Sequence, residues 1–265
     1  MERIDIHPTA IVSPKAEVGE GVSIGAYSIV ESGAILGQGA KLYSQTHIGG
    51  ATTLGPRCEV FPFAVLGLRP QDFKHNGEKT RLEIGADTII REHVTMHPGT
   101  TSGKRITRVG QGGYFMVGSH VAHDCVVGDN VVFANNAALA GLVTVGNNCI
   151  LGGLSAVHQN TRIGNFAFVG SMAMVTRDVI PYGSVLGNHA HLAGLNIVGL
   201  KRRNMPRKTI HNLRSAYRLL FADEGTFEER LVDVSATFAS STEVMEIVDF
   251  IREESARSLC MPHVR

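Results

Sequence analysis

Tryptophan is absent from this chain of 265 residues, and aromatic residues make up only 6% of it. With so few aromatic side chains and as many as 30 glycines, the composition does not suggest a conventional β-sandwich or helical bundle. An excess of charge of one sign is also lacking. Because the net charge is +1, bulk attraction to nucleic acid is not expected.

No apolar run approaches the ~18 residues that a membrane-spanning helix needs. The N-terminus is charged and lacks the apolar core of a signal peptide. The four cysteines form no Cys-x-x-Cys motif, the spacing typical of metal-binding and redox-active cysteines. Cys58, Cys125 and Cys149 instead share one position of a sequence repeat, which predicts reduced, packed side chains. These absences favour a soluble, cytoplasmic protein without stable membrane insertion.

What the sequence does have is a repeat of six residues. From Ile6 to Leu66, and again from Val109 to Val175, every sixth residue is large and apolar, and the fourth residue after it is small or β-branched. A period of six fits neither an α-helix nor a coiled coil. It fits short strands joined by tight corners, three strands to a coil, in a parallel β-helix.

Two insertions interrupt the repeat, near residues 67–81 and 98–108. A solenoid tolerates such insertions as loops on one face, which is often the binding face. Asp72 and Lys74, in the first insertion, are well suited to holding a polar ligand. The alternative is that both loops are decorative.

The pattern changes near the C-terminus. Residues Gly183 to Gly194 look irregular, and a helical pattern begins soon after them. Pro206 suits a first helical turn, and Thr226 with Glu229 forms the sequence of a capping box. We therefore predict a β-helix over residues 1–190 and a helical domain over residues 191–265, which also caps the open end of the solenoid.

Repeat arithmetic places side chains on the coil. Eighteen residues make one coil, so His123 and Gln159, 36 residues apart, stack along one edge with Gly141 between them. At such a corner the consecutive side chains of His123 and Asp124 can both face solvent. The outward ridge predicted in this way carries His120, His123, Asp124, His158 and Gln159.

A histidine beside a carboxylate is a general base tuned near neutral pH, and His123 with Asp124 fits that role. Zinc is the rival, but the spacing of His120 and His123 would put one ligand on a flat strand and the other on a corner. A surface histidine without function is the third possibility. Because a ridge is convex and cannot enclose a substrate alone, we expect a homotrimer with sites between neighbouring subunits.

Six motifs, in their order and spacing, resemble those of one enzyme family along essentially the whole chain. They are Ile6-His7-Pro8-Thr9-Ala10, Gln71-Asp72-Phe73-Lys74, Val121-Ala122-His123-Asp124-Cys125, Ala156-Val157-His158-Gln159, Gly187-Asn188-His189-Ala190 and Asn196-Ile197-Val198-Gly199-Leu200-Lys201-Arg202-Arg203. The family is that of the acyl-[acyl carrier protein]–UDP-N-acetylglucosamine O-acyltransferases, hexapeptide-repeat enzymes that begin lipid A biosynthesis. The resemblance implies a left-handed β-helix.

The reaction implied by the resemblance moves a 3-hydroxyacyl chain from acyl carrier protein to the 3-hydroxyl of UDP-N-acetylglucosamine (UDP-GlcNAc). It implies no separate cofactor, since the donor is carried on the phosphopantetheine of the carrier protein. His123 would take the proton from the sugar hydroxyl, Asp124 would orient it, and the Gly141 N–H would stabilise the oxyanion. The implied substrate contacts are His120, His158 and Gln159 at the sugar, Asp72, Lys74 and His97 on the sugar and phosphate side, and Asn196, Arg202 and Arg203 at the nucleotide.

By the same resemblance Ser171 matches the position that limits acyl length, and repeat arithmetic puts it on a different edge from His123. A basic block without any acid runs from Pro181 to Ala222. Those of its residues that lie beyond the nucleotide motif face either the acidic carrier protein or only solvent. They are Arg207, Lys208, Arg214 and Arg218.

The chain departs from the family at Leu142, where relatives often have histidine, and at Val198, where some carry glutamate. These departures leave open whether the acceptor sugar has a 3-hydroxyl or a 3-amino group. Two further alternatives are another β-helical acyltransferase, acting on a later glucosamine lipid or using coenzyme A, and a non-catalytic scaffold.

Overall fold

In a computed structural model, which describes residues 4–263, short strands follow one another at intervals of six residues through most of the chain. In chain order the strands are β1 (Asp5–Ile6), β2 (Ile11–Val12), β3 (Glu17–Val18), β4 (Ser23–Ile24), β5 (Ile29–Val30), β6 (Ile35–Leu36), β7 (Lys41–Leu42), β8 (His47–Ile48), β9 (Thr52–Leu54), β10 (Glu59–Val60), β11 (Val65–Leu66), β12 (Arg81–Ile84), β13 (Ile89–Ile90), β14 (Thr95–Met96), β15 (Ile106–Val109), β16 (Tyr114–Phe115), β17 (His120–Val121), β18 (Val126–Val127), β19 (Val132–Phe133), β20 (Ala138–Leu139), β21 (Thr144–Val145), β22 (Ile150–Leu151), β23 (Ala156–Val157), β24 (Arg162–Ile163), β25 (Phe168–Val169), β26 (Met174–Val175), β27 (Gly183–Leu186) and β28 (His191–Leu195).

These strands form the three faces of a prism. Sheet A has the order β1-β4-β7-β10-β13-β16-β19-β22-β25-β27-β28, sheet B the order β2-β5-β8-β11-β14-β17-β20-β23-β26, and sheet C the order β3-β6-β9-β12-β15-β18-β21-β24. Partners in neighbouring coils are parallel and 18 residues apart, as Ala138 and Ala156 are. The parallel β-helix predicted from the period of six is confirmed.

Both insertions leave the solenoid at the same corner, between sheet B and sheet C. The first occupies residues 67–80, between β11 and β12, and the second occupies residues 97–105, between β14 and β15. Because of the first, Glu59 pairs with Ile89, 30 residues further on, instead of 18. Longer coils at this corner leave the register of the faces unchanged.

The core is a column inside the prism. The apolar residue of each repeat and the small residue four positions later point inward, as Phe133 and Ala137 do, both with 0% exposure. Cys58, Cys125 and Cys149 are buried in this column and form no disulfide, which confirms that they are packed, free side chains.

The third residue after each inward apolar residue turns the corner with a positive φ. Asp124, Leu142 and Asn160 hold this place on one edge, with φ of 61°, 64° and 61°. Asparagine and aspartate enter the left-handed region more readily than other non-glycine residues, which explains their frequency in the corners. A bulky residue such as Leu142 adopts it only because hydrogen bonds to the neighbouring coils fix the backbone.

The prediction that residues Gly183 to Gly194 are irregular is wrong. These residues form β27 and most of β28, an antiparallel pair that continues sheet A. The error arose because an antiparallel hairpin interrupts the phase of six while it still uses the open hydrogen bonds at the sheet edge. The pair spans the boundary predicted at residues 190 and 191. The outermost residues of the two predicted domains, 1–3 and 264–265, lie outside the described range.

Four helices follow: α1 (Ile197–Arg202), α2 (Arg207–Leu220), α3 (Phe227–Thr237) and α4 (Thr242–Arg252). The predicted capping box is confirmed at α3, where Thr226 and Glu229 bond reciprocally, while Pro206 lies just before α2 at its N-cap. Glu246 of α4 binds Asn165 and Tyr182 at the end of the solenoid. No helix within residues 4–263 is long and apolar enough to cross a lipid bilayer.

Candidate active site

His123 and Asp124 occupy the corner between β17 on sheet B and β18 on sheet C. His123 Nδ1 lies 2.8 Å from Asp124 Oδ2. The His123 side chain is 20% exposed and that of Asp124 is 0% exposed. The expectation that both side chains face solvent is therefore wrong for Asp124, because the second insertion folds over its carboxylate.

Residues of that insertion supply the hydrogen bonds that burial of a carboxylate requires. The Thr100 N–H lies 3.0 and 3.1 Å from the two carboxylate oxygens of Asp124, and the Thr100 hydroxyl donates to Oδ2 at 2.6 Å. The Lys104 N–H donates to Oδ1 at 2.7 Å. Gly103 lies flat against the carboxylate, since a Cβ there would be 2.3 Å from Asp124 Cγ.

These donors determine the charge of the pair. Burial by itself would raise the pKa of Asp124, but hydrogen bonds from Thr100, His123 and Lys104 outweigh it and hold the pKa below the usual 3.8. At neutral pH Asp124 is therefore a carboxylate. A carboxylate only accepts, so His123 Nδ1 carries the proton and the Nε2 of the neutral ring is left as a base.

Two more imidazoles lie beside this pair. The rings of His97 and His120 are 5.1 Å apart in an edge-to-face arrangement. His120 Nδ1 is 2.7 Å from Thr95 Oγ1, and His97 Nδ1 accepts a hydrogen bond of 3.1 Å from the Gln71 N–H. Burial, together with nearby His120 and His123, lowers the pKa of His97 from 6.5 to about 4. His97 is thus neutral at physiological pH, with its proton on Nε2.

Acidification is expected to destabilise the protein through His97. Because its folded pKa of about 4 lies below the ordinary 6.5, the unfolded chain binds the proton first. Stability is therefore lost as pH falls through 6.5 and levels off below about 4. Between pH 7 and pH 5 this site should account for about 2 kcal/mol of unfolding free energy.

The check is denaturant unfolding at several pH values and one protein concentration. His97→Gln should show a shallower loss of stability between pH 7 and pH 5 than the wild type. His93→Gln, which changes an exposed corner histidine, should keep the wild-type slope. Equal slopes in all three proteins would contradict the prediction.

Gly141 lies one coil after His123, at the same corner position. A Cβ there would be 2.5 Å from His123 Cε1 and 2.6 Å from Nε2, so the imidazole lies directly over the glycine. Because position 141 has no side chain, the His123 imidazole can lie in this position without a steric clash.

The Gly141 N–H has no acceptor among residues 4–263. At the corner between sheets C and A, the N–H groups in the same position are satisfied by the side chain of the next coil. Asp129, Asn147 and Asn165 accept there in succession, at 2.9, 2.7 and 2.6 Å. At the His123 corner no such ladder forms, so the N–H of the glycine beneath the His123 ring is left without an acceptor among residues 4–263.

The remaining predicted sugar contacts lie around this corner. His158 and Gln159 are exposed one coil beyond Gly141. Asp72 and Lys74 belong to the first insertion, where Asp72 Oδ1 accepts a hydrogen bond of 3.0 Å from the Lys74 N–H. The Gln71–His97 hydrogen bond brings this loop against the histidines.

The predicted nucleotide contacts lie elsewhere in the chain. Asn196 is the N-cap of α1 and accepts from the Gly199 N–H at 3.0 Å. Together with Arg202 and Arg203 it lines a cavity of about 590 Å³ against the outer side of sheet A. Ser171 lies at a third place, the exposed corner between sheets A and B. One chain thus does not bring these groups to the His123 corner.

The clefts beside α4 and beneath the first insertion lie away from His123. Their volumes are about 1030 Å³ and about 1140 Å³, and His123 lines neither of them. Within residues 4–263 no three His, Cys, Asp or Glu side chains are grouped to hold a metal ion.

Known relatives match this chain over nearly its whole length. The chain is 58% identical over 259 residues to the acyl-[acyl-carrier-protein]–UDP-N-acetylglucosamine O-acyltransferase of Caulobacter vibrioides, covering 98% of both chains. The chain belongs to the UDP-N-acetylglucosamine acyltransferase family. It is also 47% identical over 262 residues to the Bartonella henselae protein of the same name, covering 99% of this chain and 96% of that one.

Other members of the UDP-N-acetylglucosamine acyltransferase family agree in structure. The crystal structure of the Moraxella catarrhalis enzyme superposes with a TM-score of 0.92 at 38% identity, covering 96% of this chain and 99% of that one. The family model described as "Udp N-acetylglucosamine O-acyltransferase; Domain 2" matches residues 178–260. The resemblance drawn from the motifs is confirmed, as is the fold class of a left-handed β-helix followed by helices. The chain is an acyltransferase.

Two residues that contact the corner of this acyltransferase were not predicted from the sequence. Arg257, from the C-terminal segment, donates to His158 Nδ1 at 2.7 Å and to the Gln159 carbonyl at 3.0 Å. Nothing in the local sequence of Arg257 signals this contact. Thr100 could have been suspected, since its insertion directly precedes the coil that carries His123.

Proposed function

We propose that the protein transfers a 3-hydroxyacyl chain from acyl carrier protein to the 3-position of UDP-GlcNAc, the first step of lipid A biosynthesis. The names of the relatives support the substrates. The observation that carries the proposal is the buried, ionised Asp124 at 2.8 Å from His123, with Gly141, whose N–H has no acceptor among residues 4–263, against the other ring nitrogen. The cytoplasmic location stays a prediction.

His123 Nε2 takes the proton of the sugar 3-hydroxyl as the oxygen attacks the thioester carbonyl of the donor. The carbonyl π electrons move to its oxygen, and the Gly141 N–H stabilises that oxyanion. The oxyanion then collapses, the C–S bond breaks, and the imidazolium returns its proton to the phosphopantetheine sulfur. Asp124 stays ionised throughout and stabilises the imidazolium. No further cofactor takes part.

Binding of the sugar nucleotide completes the proposal. Arg202 and Arg203 suit the diphosphate by charge and by the fork geometry of guanidinium. The Arg202 side chain forms no hydrogen bond or ion pair within residues 4–263. The cavity lined by Arg202 and Arg203 lies on sheet A, whereas His123 lies at the corner between sheets B and C. We therefore place one substrate between two subunits of a homotrimer.

Acyl carrier protein is the proposed macromolecular partner. Four basic residues of α2 are exposed on one helix and suit an acidic protein surface. They are Arg207, Lys208, Arg214 and Arg218.

The acceptor has one alternative, a UDP-GlcNAc analogue with a 3-amino group, which would give an amide through the same base. Leu142 and Val198 leave this alternative open, because by the family resemblance they stand where relatives often have histidine and where some carry glutamate. Val198 lines the cavity of Arg202 and is 62% exposed, so it meets the ligand without a hydrogen-bonding group.

The test is an assay with UDP-GlcNAc and its 3-amino analogue against a panel of 3-hydroxyacyl carrier proteins, with products identified by mass and hydroxylamine sensitivity. The proposal expects an ester of UDP-GlcNAc. An amide formed at least about tenfold faster would establish the alternative, a difference of about 1.4 kcal/mol in the barrier. Transfer to neither acceptor would contradict both.

Ser171 is proposed to limit acyl length. Ser171→Met should favour shorter donors, with kcat/KM for the longest accepted chain falling by about tenfold, because each methylene excluded from an apolar groove costs ~1–3 kcal/mol. Ser44→Met is the matched control, since Ser44 holds the same corner position in an N-terminal coil. An unchanged donor profile in Ser171→Met would refute the role.

A further inference from the structure

Within residues 4–263, the second insertion, residues 97–105, supplies most of the hydrogen bonds to the carboxylate of the proposed catalytic pair. Thr100 is 2% exposed and contributes two of the groups that donate to Asp124, its N–H and its hydroxyl. Its hydroxyl lies on Oδ2, the same oxygen that faces His123 Nδ1. Two donors on one oxygen fix the rotation of the carboxylate as well as its charge.

The corner itself does not create this environment. Asn160 and Leu142 hold the equivalent position in the next coils, and both remain partly exposed without a loop above them. Asp87 is an aspartate in the same left-handed corner conformation, but it is exposed and pairs with Arg57. The insertion is therefore what buries Asp124 and supplies its hydrogen bonds from uncharged donors.

We infer that Thr100 is a positioning residue, whose hydroxyl holds the Asp124 carboxylate aligned on His123 Nδ1, so that the ring keeps its proton on Nδ1 and presents Nε2 as the base. The inference rests on the proposed function and adds to it the residue that prepares the base. Thr100 touches no substrate and acts through Asp124 alone.

Only one of these donors can be removed by a side-chain change. The N–H groups of Thr100 and Lys104 belong to the backbone and survive substitution. Thr100→Val keeps the shape of the side chain and removes the hydroxyl, whereas Thr100→Ser keeps the hydroxyl. Thr101→Val is the matched control, because Thr101 lies in the same loop and bonds to Glu78 instead.

Steady-state kinetics with acyl carrier protein donor and UDP-GlcNAc test the inference. Thr100→Val should lower kcat about tenfold and leave KM within about twofold, since a lost hydrogen bond to a charged group alters the base and not substrate binding. Thr100→Ser and Thr101→Val should stay within about threefold of the wild type. A kcat near the wild-type value in Thr100→Val, or an equal loss in Thr100→Ser, would overturn the inference.

A second measurement does not depend on turnover. In proteins labelled with ¹⁵N-histidine, the Nδ1–H proton of His123 bonded to Asp124 should be visible in the wild type and in Thr100→Ser. It should be lost or shifted in Thr100→Val. If the wild type transfers no acyl chain, the proposed function fails, and this spectrum still decides the role of Thr100. An unshifted signal in Thr100→Val would refute it.

Discussion

Replacement of His123 by alanine is expected to slow acyl transfer by about 10²- to 10⁴-fold, the range that a positioned general base contributes. The substitution removes the imidazole nitrogen that faces Gly141, which is the proposed acceptor of the sugar-hydroxyl proton as the C–O bond forms. The His123 ring lies over Gly141 outside the apolar column, so its removal leaves the core intact. The measurement is the initial rate of transfer from a 3-hydroxyacyl carrier protein, with thermal unfolding recorded on the same samples.

His93→Ala is the matched control for this experiment. His93 is also a corner histidine, with a φ of 60°, and it stacks on Phe63 far from the Asp124 carboxylate. It should keep wild-type activity. If His123→Ala retained more than about a tenth of the wild-type rate, general-base catalysis by His123 would be ruled out.

Gly141→Ala is expected to lower kcat by about 10²-fold, because displacement of a catalytic group by about 1 Å has that effect. The added methyl group would lie 2.5 Å from His123 Cε1, so the imidazole must swing away from Asp124 or from the substrate. The Gly141 N–H survives the substitution, so the expected loss reports the displacement of the His123 ring. The φ of Gly141 lies outside the left-handed region, so alanine adds no backbone strain.

Gly153→Ala separates the steric effect from the general effect of losing a corner glycine. Gly153 holds the same position of its repeat, and a Cβ there would meet only the Asn135 carbonyl oxygen, at 3.4 Å. It should remain fully active and folded. Equal kinetics for the two variants would show that the contact between His123 and position 141 has no part in the reaction.

The fold could be read from the sequence because the signal is periodic. Every coil places an apolar residue at the same inward position, as Val121 and Leu139 show in neighbouring coils. Each repeat therefore fixes the strand positions anew, and an error in one coil does not shift the next. The hairpin of β27 and β28 escaped because it closes a sheet edge only once, by antiparallel pairing. A pairing that occurs once leaves no period in the sequence.

Those parts of the site that follow the six-residue repeat could be predicted from the sequence. Counting along the coils placed His123, Gly141 and Gln159 on one corner, and the structure has them there. The burial of Asp124 was not predictable, because it depends on the path of a loop whose residues follow no period. The same holds for Arg257, which reaches His158 from nearly 100 residues further along the chain.

Mixing two inactive variants tests most directly whether His123 acts at a site shared between subunits. His123→Ala and Arg202→Ala should each be inactive as pure proteins. Dissociated, mixed in equal amounts and reassembled into the proposed trimers, they should recover about a quarter of wild-type activity, because a quarter of neighbouring pairs then join an intact His123 to an intact Arg202. Reassembled mixtures no more active than the separate variants would contradict a shared site.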